Sequence, residues 1–290
     1  MHSGSIITAK KTKLTVITVL LALMMIGSFA DYAISCSLFN LNNPFGIFLA
    51  AYGEYPATLG LAASGSLLAF SGRGKSALNT VPRILVGIVL MLFGTFMACF
   101  MPTIYLSMEP VIVYAIGFAL SIVVILLSRR LAILNDPAKV RRIALILILV
   151  IFAEMILVNL IKIPWGRARM RLVATDSRAY FMPWWQVGGS LKHELTALGV
   201  ASEEFKSFPS GHTANAAVLL LLPLLADLEP KLKGKGKTLL IIGAVWAALV
   251  AFSRIIMGAH YLSDTVVGCT VNYLVILIIL KLLYHPVETR

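Results

Sequence analysis

Apolar runs of roughly 20 residues recur along the whole chain, separated by short segments that contain Gly, Pro or charged residues. A helix of about 20 residues is long enough to cross a hydrocarbon core about 30 Å thick. We therefore predict eight membrane spans, at residues 14–31, 50–70, 83–101, 110–128, 143–161, 212–228, 238–256 and 264–284. The sequence thus predicts an all-α fold, a polytopic bundle of transmembrane helices.

The composition excludes an ordinary soluble domain. Hydrophobic residues make up 59% of the 290 residues and charged residues only 13%, too few to cover a surface that faces water on all sides. The 25 Lys and Arg residues outnumber the 13 Asp and Glu residues. Such an excess suits nucleic acid, an anionic membrane surface or an anionic substrate. The apolar background excludes nucleic acid, so we expect membrane lipids and an anionic substrate as partners.

Lys and Arg fall on alternate connections between the predicted spans. The basic segments are the N-terminus, 71–82, 129–142 and 229–237, and the segments without Lys or Arg are 32–49, 102–109 and 257–263. Positive charges resist translocation, so the basic set is predicted to be cytoplasmic. Both termini are then cytoplasmic, and the long segment 162–211 lies on the outer face of the cell membrane.

Three segments with His, Lys or Arg stand at the predicted outer ends of the last four spans. They are KIPWGRAR at 162–169, PSGH at 209–212 and SRIIMGAHYLSD at 253–264. The sidedness rule disfavours arginines on the outer face, so an anionic ligand is the economical reason for their presence. The alternative is an interfacial belt of aromatic side chains with solvated charges. We predict an active site at the outer ends of these four spans.

Lys162, Arg169 and Arg254 are the predicted phosphate ligands. A phosphoryl group in transfer spreads negative charge over its equatorial oxygens, which fixed cations and N–H donors must balance. The planar guanidinium of Arg holds two oxygens at once. Arg167 is a candidate for a supporting positive charge that does not itself contact the phosphate. For Arg254 the alternative is a side chain that merely reaches from its helix end to the interface.

Ser210, Gly211 and His212 open the sixth predicted span. Ser is a good helix N-cap, Gly lets the backbone approach a ligand, and the N–H groups of a first helical turn attract anions. We predict that Ser210 and Gly211 bind phosphate. His212 on its own would be an interfacial side chain, but beside a phosphate site it is a candidate catalytic residue.

His260 and Asp264 are four residues apart, so a helix that starts here places them on one face, one turn apart. The Asp264 carboxylate is then expected to accept the Nδ1 proton of His260, which leaves Nε2 free to attack phosphorus. A carboxylate near a membrane boundary is costly unless it is paired, which favours a functional role. Other acids near outer span ends, Asp31, Glu54 and Glu109, are expected to be solvated.

These segments resemble the three signature motifs of the type 2 phosphatidic acid phosphatase superfamily. The motifs are a Lys and an Arg seven residues apart, usually followed by Pro, then PSGH, then Ser-Arg with a His six residues after the Arg and an Asp four further on. The chain matches all three in order, except that Met170 stands in place of the Pro. The resemblance covers about residues 143–284.

The resemblance implies a mechanism and the residues that carry it out. His260 would attack in line and form a phosphohistidine, and His212 would protonate the departing oxygen and then take a proton from water. Asp264 would orient His260. Neither a metal nor another cofactor is implied, because Lys and Arg do the work of a divalent ion, and no carboxylate cluster is available to bind one.

The predicted domain organisation follows from the position of these motifs. We predict a cytoplasmic N-terminus, an N-terminal helical region of four spans without a motif, a phosphatase core with four spans and the external loop 162–211, and a cytoplasmic tail. Their ranges are 1–13, 14–142, 143–284 and 285–290.

The expected function is hydrolysis of a phosphate monoester or diphosphate on a membrane lipid at the outer membrane face. One alternative is a phosphotransferase that passes phosphate to an acceptor other than water. Another is a lipid phosphate binder or transporter without turnover, but binding alone needs only the cations and not His212, His260 and Asp264. Vanadate-dependent haloperoxidases have a similar anion site by resemblance, but they are soluble proteins. Neither the particular lipid nor the oligomeric state follows from the sequence.

Overall fold

A computed structural model describes residues 4–72 and 77–284. Within these ranges the chain forms twelve α-helices and no strand, and the helices are numbered in chain order. Helices α1 to α12 are Gly4–Thr8, Lys10–Leu38, Pro44–Tyr52, Tyr55–Phe70, Ala77–Phe100, Pro110–Leu134, Pro137–Trp165, Met170–Thr175, Gly189–Ala197, Gly211–Ala217, Gly236–Ile256 and Leu262–Leu283. The predicted tail 285–290 and the basic residues at 73 and 75 lie outside the described residues.

The predicted transmembrane helix bundle is confirmed as the fold class. Across the two described ranges, six helices are long and apolar enough to cross a membrane, judged by length and composition. They are Lys10–Leu38, Leu78–Ile104, Pro110–Leu134, Pro137–Thr175, Gly236–Ile256 and Leu262–Leu283. Each corresponds to one of the eight predicted spans. The other two predicted spans, 50–70 and 212–228, are not single long α-helices.

Span 50–70 is divided by a turn at Gly53 and Glu54, which separates α3 from α4. Pro56 lies in the first turn of α4, where its missing N–H costs nothing, whereas in a helix interior it would break the chain of hydrogen bonds. In the segment 212–228, α10 continues as the 3₁₀ helix Val218–Asp227. At about 1.5 Å per α residue and 2.0 Å per 3₁₀ residue, the two cover about 30 Å. The count of eight spans stays a prediction.

The N-terminal helices pack on each other, with α4 against α5 and α6, and directly on the motif-bearing helices, with α4 against α7, α2 against α12 and α3 against α11. Small residues let the backbones approach, as expected for helix packing in membranes. At the crossing of α4 and α5, a Cβ atom added to Gly65 would lie 2.5 Å from the carbonyl oxygen of Gly87. Even alanine would therefore separate these two helices.

One end of the bundle gathers both ends of the described chain. The Gly4 amide N–H donates to the Tyr284 hydroxyl (3.1 Å), and Asn135, between α6 and α7, donates to the carbonyl of Leu228 (2.9 Å). The three motif segments lie at the opposite end, where α7 and α11 finish and α10 and α12 begin. The short connections with Lys and Arg thus lie at the end of the bundle opposite the motifs, as the sequence predicts. Which end faces the cytoplasm stays a prediction.

The segment between α7 and α10 folds into a compact cap at the motif end. It contains α8, α9 and the 3₁₀ turn Ser202–Phe205. Its buried side chains form an apolar cluster of their own: Ala168, Leu172, Ala179, Met182, Leu191, Leu195 and Phe205. The cap therefore holds the basic residues that follow α7 in fixed positions.

Candidate active site

Backbone hydrogen bonds join the three motif segments. The N–H of Ser207, just before PSGH, donates to the carbonyl of Arg167 (3.1 Å), and the N–H of Arg171 donates to the carbonyl of Gly258 (2.9 Å). The N–H of Ser210 donates to the carbonyl of Asp264 (2.9 Å). Stretches of chain that are about 40 to 90 residues apart in sequence are thus tied together at one end of the bundle.

Ser210 and Gly211 are placed by close contact between α10 and α12. A Cβ atom on Gly268 of α12 would lie 2.2 Å from the Ser210 carbonyl oxygen, so only glycine allows this approach. Ser210 caps α10, since its hydroxyl accepts from the N–H of Thr213 (3.3 Å). Its own N–H is already bonded to Asp264, so only its hydroxyl proton is left for a phosphate. Gly211 faces Lys162, whose Nζ would lie 3.4 Å from a Cβ at that position.

His260 is buried and held by a backbone carbonyl. Its Nδ1 lies 2.5 Å from the carbonyl oxygen of Ser207. A carbonyl only accepts, so Nδ1 carries the proton and Nε2 keeps its lone pair. Burial lowers the pKa of His260 well below its ordinary value, and the positive charges of Lys162, Arg169 and Arg254 lower it further. The ring is therefore a neutral imidazole at neutral pH.

The hydrogen bond expected between Asp264 and His260 is not formed, which corrects the sequence prediction. Asp264 Oδ2 lies 3.9 Å from Nδ1 of His260. Its carboxylate accepts from Arg167 Nη1 (2.5 Å), from the Ser207 hydroxyl (2.5 Å) and from the N–H of Tyr261 (2.8 Å). With its oxygens engaged, Asp264 supports His260 through Ser207, which bonds the carboxylate with its hydroxyl and the imidazole with its carbonyl.

Arg167 is fully buried and faces carboxylates. Its Nη2 donates to Asp31 of α2 (2.9 Å), and its Nη1 donates to Asp264 and to the Ser263 hydroxyl (2.9 Å). Its guanidinium also stacks over the ring of Tyr261, 4.2 Å from the centroid. The prediction of a solvated Asp31 is wrong, because this side chain is only 2% exposed and also accepts from the N–H of Ser263 (2.9 Å). Arg167 is therefore a buried counterion of Asp31 and Asp264, and it fixes the position of Asp264.

Arg169 and Arg254 have unpaired donors at the site, and Lys162 lies beside Gly211. Among the described residues, Nε and Nη1 of Arg254 and Nε of Arg169 are buried without a hydrogen-bond partner. Buried N–H groups of charged side chains are rarely left unpaired, because their desolvation is costly. The charges of all three residues act on both His260 and His212. A bound anion would satisfy these donors.

His212 contacts two residues from the N-terminal helices. Its Nδ1 lies 3.2 Å from Glu54 Oε1, and its Nε2 lies 3.2 Å from the hydroxyl of Tyr105. Glu54 was expected to be solvated, but it is only 8% exposed and accepts from Asn215 Nδ2 (3.0 Å). An acid in an apolar stretch is a functional signal, so Glu54 could have been singled out, whereas nothing in the sequence marks Tyr105.

Two further acids lie on the cap beside the cations. Glu204 binds Arg171 through both oxygens (2.9 and 2.6 Å). Glu203 lies 3.5 Å from Arg169 and 2.6 Å from Lys206. The hydrogen bond from Lys206 lowers the pKa of Glu203, which keeps it ionised. Its carboxylate thus stands near a cation that we expect to bind phosphate.

Comparison with known proteins agrees with these motifs. Residues 143–287 match the model of the PAP2 superfamily. The chain is 35% identical over 75 residues to phosphatidylglycerophosphatase B of Bacillus subtilis, a match that covers 25% of this chain and 37% of that protein. It is 39% identical over 70 residues to phosphatidylglycerophosphatase B of Haemophilus influenzae, which covers 24% and 29%. No solved structure gives a significant match.

The two similar segments span only about a third of the length of these relatives. The family match begins at residue 143, so Asp31, Glu54 and Tyr105 lie outside it. It nevertheless covers half of the chain and includes all three motif segments, which the fold brings to one end of the bundle. The protein belongs to the PAP2 superfamily.

Proposed function

We propose that this protein is a lipid phosphatase that hydrolyses a phosphate monoester or diphosphate on a membrane lipid. The observation that carries the proposal is a buried imidazole, His260, and a largely buried one, His212, under the influence of the same three cations, with unpaired guanidinium donors between helix ends. Such a site can both bind a phosphoryl group and react with it. Membership of the PAP2 superfamily supports this function.

In the proposed mechanism, Nε2 of His260 attacks phosphorus in line with the departing oxygen. A nitrogen–phosphorus bond forms as the phosphorus–oxygen bond to the lipid breaks, and His212 gives a proton to the lipid oxygen. Water then attacks the phosphohistidine while His212 takes its proton, which releases inorganic phosphate and restores His260. Lys162, Arg169 and Arg254 balance the charge on the phosphoryl oxygens throughout.

Asp264 and Arg167 support the nucleophile in this scheme without touching the substrate. Asp264 holds Ser207, and the Ser207 carbonyl fixes the proton on Nδ1 of His260. The carboxylate, 3.9 Å from the ring, also stabilises the cation that forms when His260 carries phosphate. Arg167 keeps Asp264 in place through a 2.5 Å contact.

An amphiphilic substrate suits a site at the ends of membrane helices, because its head group lies at that depth. The relatives' name makes phosphatidylglycerol phosphate the first substrate to examine. We place the site on the outer membrane face, since the short connections that carry Lys and Arg, 129–142 and 229–237, lie at the other end of the bundle.

The test is phosphate release by the purified protein in mixed micelles from a panel of lipid phosphates. We expect turnover of at least one lipid, with His260→Ala and Lys162→Ala reduced by about 10²-fold or more. His193→Ala is the matched control, because this histidine is exposed on α9. Binding of every lipid without release would contradict the proposal. Phosphate found on an acceptor instead of free in solution would indicate a phosphotransferase.

A further inference from the structure

Glu54 contacts the second histidine, His212, from outside the family match, as Tyr105 does. It lies in the turn between α3 and α4, and its Oε1 is 3.2 Å from Nδ1 of His212. Asn215, three residues after His212 on α10, donates to the same oxygen (3.0 Å). The carboxylate therefore has a defined position against the imidazole, set by two residues of one helix.

Positive charge surrounds His212 on its other sides. The groups around it are Lys162 of α7, Arg169 of the loop after α7, Arg254 of α11 and His260 of the turn before α12. The hydroxyl of Tyr105 lies at Nε2, and the backbone of Ala50 in α3 forms a hydrogen bond with the ring. The cations that hold phosphate also disfavour a protonated imidazole, because like charges repel. A proton donor at this position thus needs a compensating negative charge.

We propose that Glu54 is a positioning residue for His212, whose carboxylate stabilises the imidazolium that protonates the departing lipid oxygen. This inference rests on the proposed function. A carboxylate 3.2 Å from one ring nitrogen favours the protonated ring and leaves the other nitrogen for the reaction. Nε2 is then the atom that exchanges the proton with substrate, in place of its contact with Tyr105.

The inference assigns a role to the N-terminal helices. The family match contains both histidines and all three cations but not Glu54. In this chain the nucleophile is held from within the matched region, by Ser207 and Asp264, whereas the proton donor is held from outside it. The turn that interrupts the predicted span 50–70 is what brings Glu54 to that position.

The test compares pH profiles of kcat/KM for wild type and Glu54→Gln with a lipid phosphate. Gln keeps the size and an oxygen but removes the negative charge beside His212, so the imidazolium loses its compensating charge and the alkaline limb moves to lower pH by about one to three units. The control is Glu109→Gln, an exposed acid at the start of α6, which leaves the profile unchanged.

A second substrate shows whether Glu54→Gln impairs proton donation or only disturbs the structure. Nitrophenyl phosphate has a leaving group that needs little protonation, so the loss of kcat/KM in Glu54→Gln is expected to shrink to a few-fold. A purely structural role would lower kcat/KM for both substrates by the same factor. If Glu54→Gln fails to fold, Asn215→Ala is the deciding variant. It removes the hydrogen bond that holds the Glu54 carboxylate against His212, so we expect a smaller shift in the same direction.

The outcomes distinguish the inference from the function on which it rests. A wild-type protein that releases phosphate from no lipid overturns the proposed function. An active wild type with an unshifted limb in Glu54→Gln, or in Asn215→Ala where that variant decides, overturns the role of Glu54 alone. Equal losses on the two substrates do the same.

Discussion

Replacing Asp31 with Ala removes a partner from the buried charge cluster behind the site. Asp31 accepts from Arg167 Nη2 (2.9 Å) and from the backbone N–H of Ser263 (2.9 Å), and also from the Ser263 hydroxyl. Both charged side chains are almost completely excluded from solvent, at 0% and 2% exposure. Arg167 would be left with Asp264 as its ionic partner, with one buried N–H group unpaired.

The expected loss of stability is about 3 kcal/mol, because removal of one partner from a buried ion pair costs roughly 3–5 kcal/mol and Asp264 compensates in part. At roughly 2–4 °C per kcal/mol, the midpoint of thermal unfolding falls by about 6–12 °C. Asp31→Asn keeps the shape and one acceptor oxygen, so its loss is expected to be smaller.

Thermal unfolding in detergent, followed by loss of the monodisperse peak in size-exclusion chromatography, measures the effect. Asp176→Ala is the matched control, since Asp176 pairs with Arg178 (2.7 Å), which is 50% exposed on the cap, and ion pairs with an exposed partner contribute little. Equal midpoints for Asp31→Ala and wild type would refute the account of the cluster. A large loss in Asp176→Ala would show that the assay does not separate buried from exposed pairs.

The remaining predictions concern the site itself. His260 must be neutral to attack, and its pKa is lowered, so the acidic limb of the kcat/KM profile is expected below pH ~6.5. Lys162→Met removes a positive charge, which raises the pKa of His260 and moves the acidic limb to higher pH. An acidic limb that does not move in Lys162→Met would contradict this. Glu203→Gln frees Arg169 and is expected to raise kcat/KM about two- to five-fold at low salt, with the gain lost at about 1 M salt; a decrease would mean that Glu203 assists binding. Gly268→Ala forces α12 away from the start of α10 and is expected to abolish phosphate release and lower the unfolding midpoint, whereas full activity would show that the two helices can separate.

The helices and the gathering of the motifs followed from local patterns. Apolar runs and the sidedness of Lys and Arg gave the bundle and the common end of His212 and His260, because such patterns depend only on the membrane as solvent. The predictions that were wrong concern residues whose expected partner, inferred from spacing in the sequence, is replaced by another side chain in the structure. Asp264 was expected to bond His260 by helical spacing, but Arg167 and Ser207 occupy its oxygens.

The residues that sequence reasoning missed come from distant helices. Asp31 meets Ser263 across 232 positions of the chain, and Tyr105 meets His212 across 107. No periodicity or motif encodes such contacts, and both acids, Asp31 and Glu54, stood near span ends where solvation was the simplest interpretation. Their burial depends on packing between helices, which a single sequence does not specify.

The central claim is that lipid phosphate is hydrolysed through a covalent bond to His260. The direct measurement is to quench the enzyme during turnover of a lipid labelled with ³²P in its phosphate, and to map the label by mass spectrometry. The account predicts an acid-labile, base-stable phosphoenzyme with the phosphate on His260, absent from His260→Ala. An active enzyme that carries label on another residue, or that forms no phosphoenzyme under rapid quench, would contradict it.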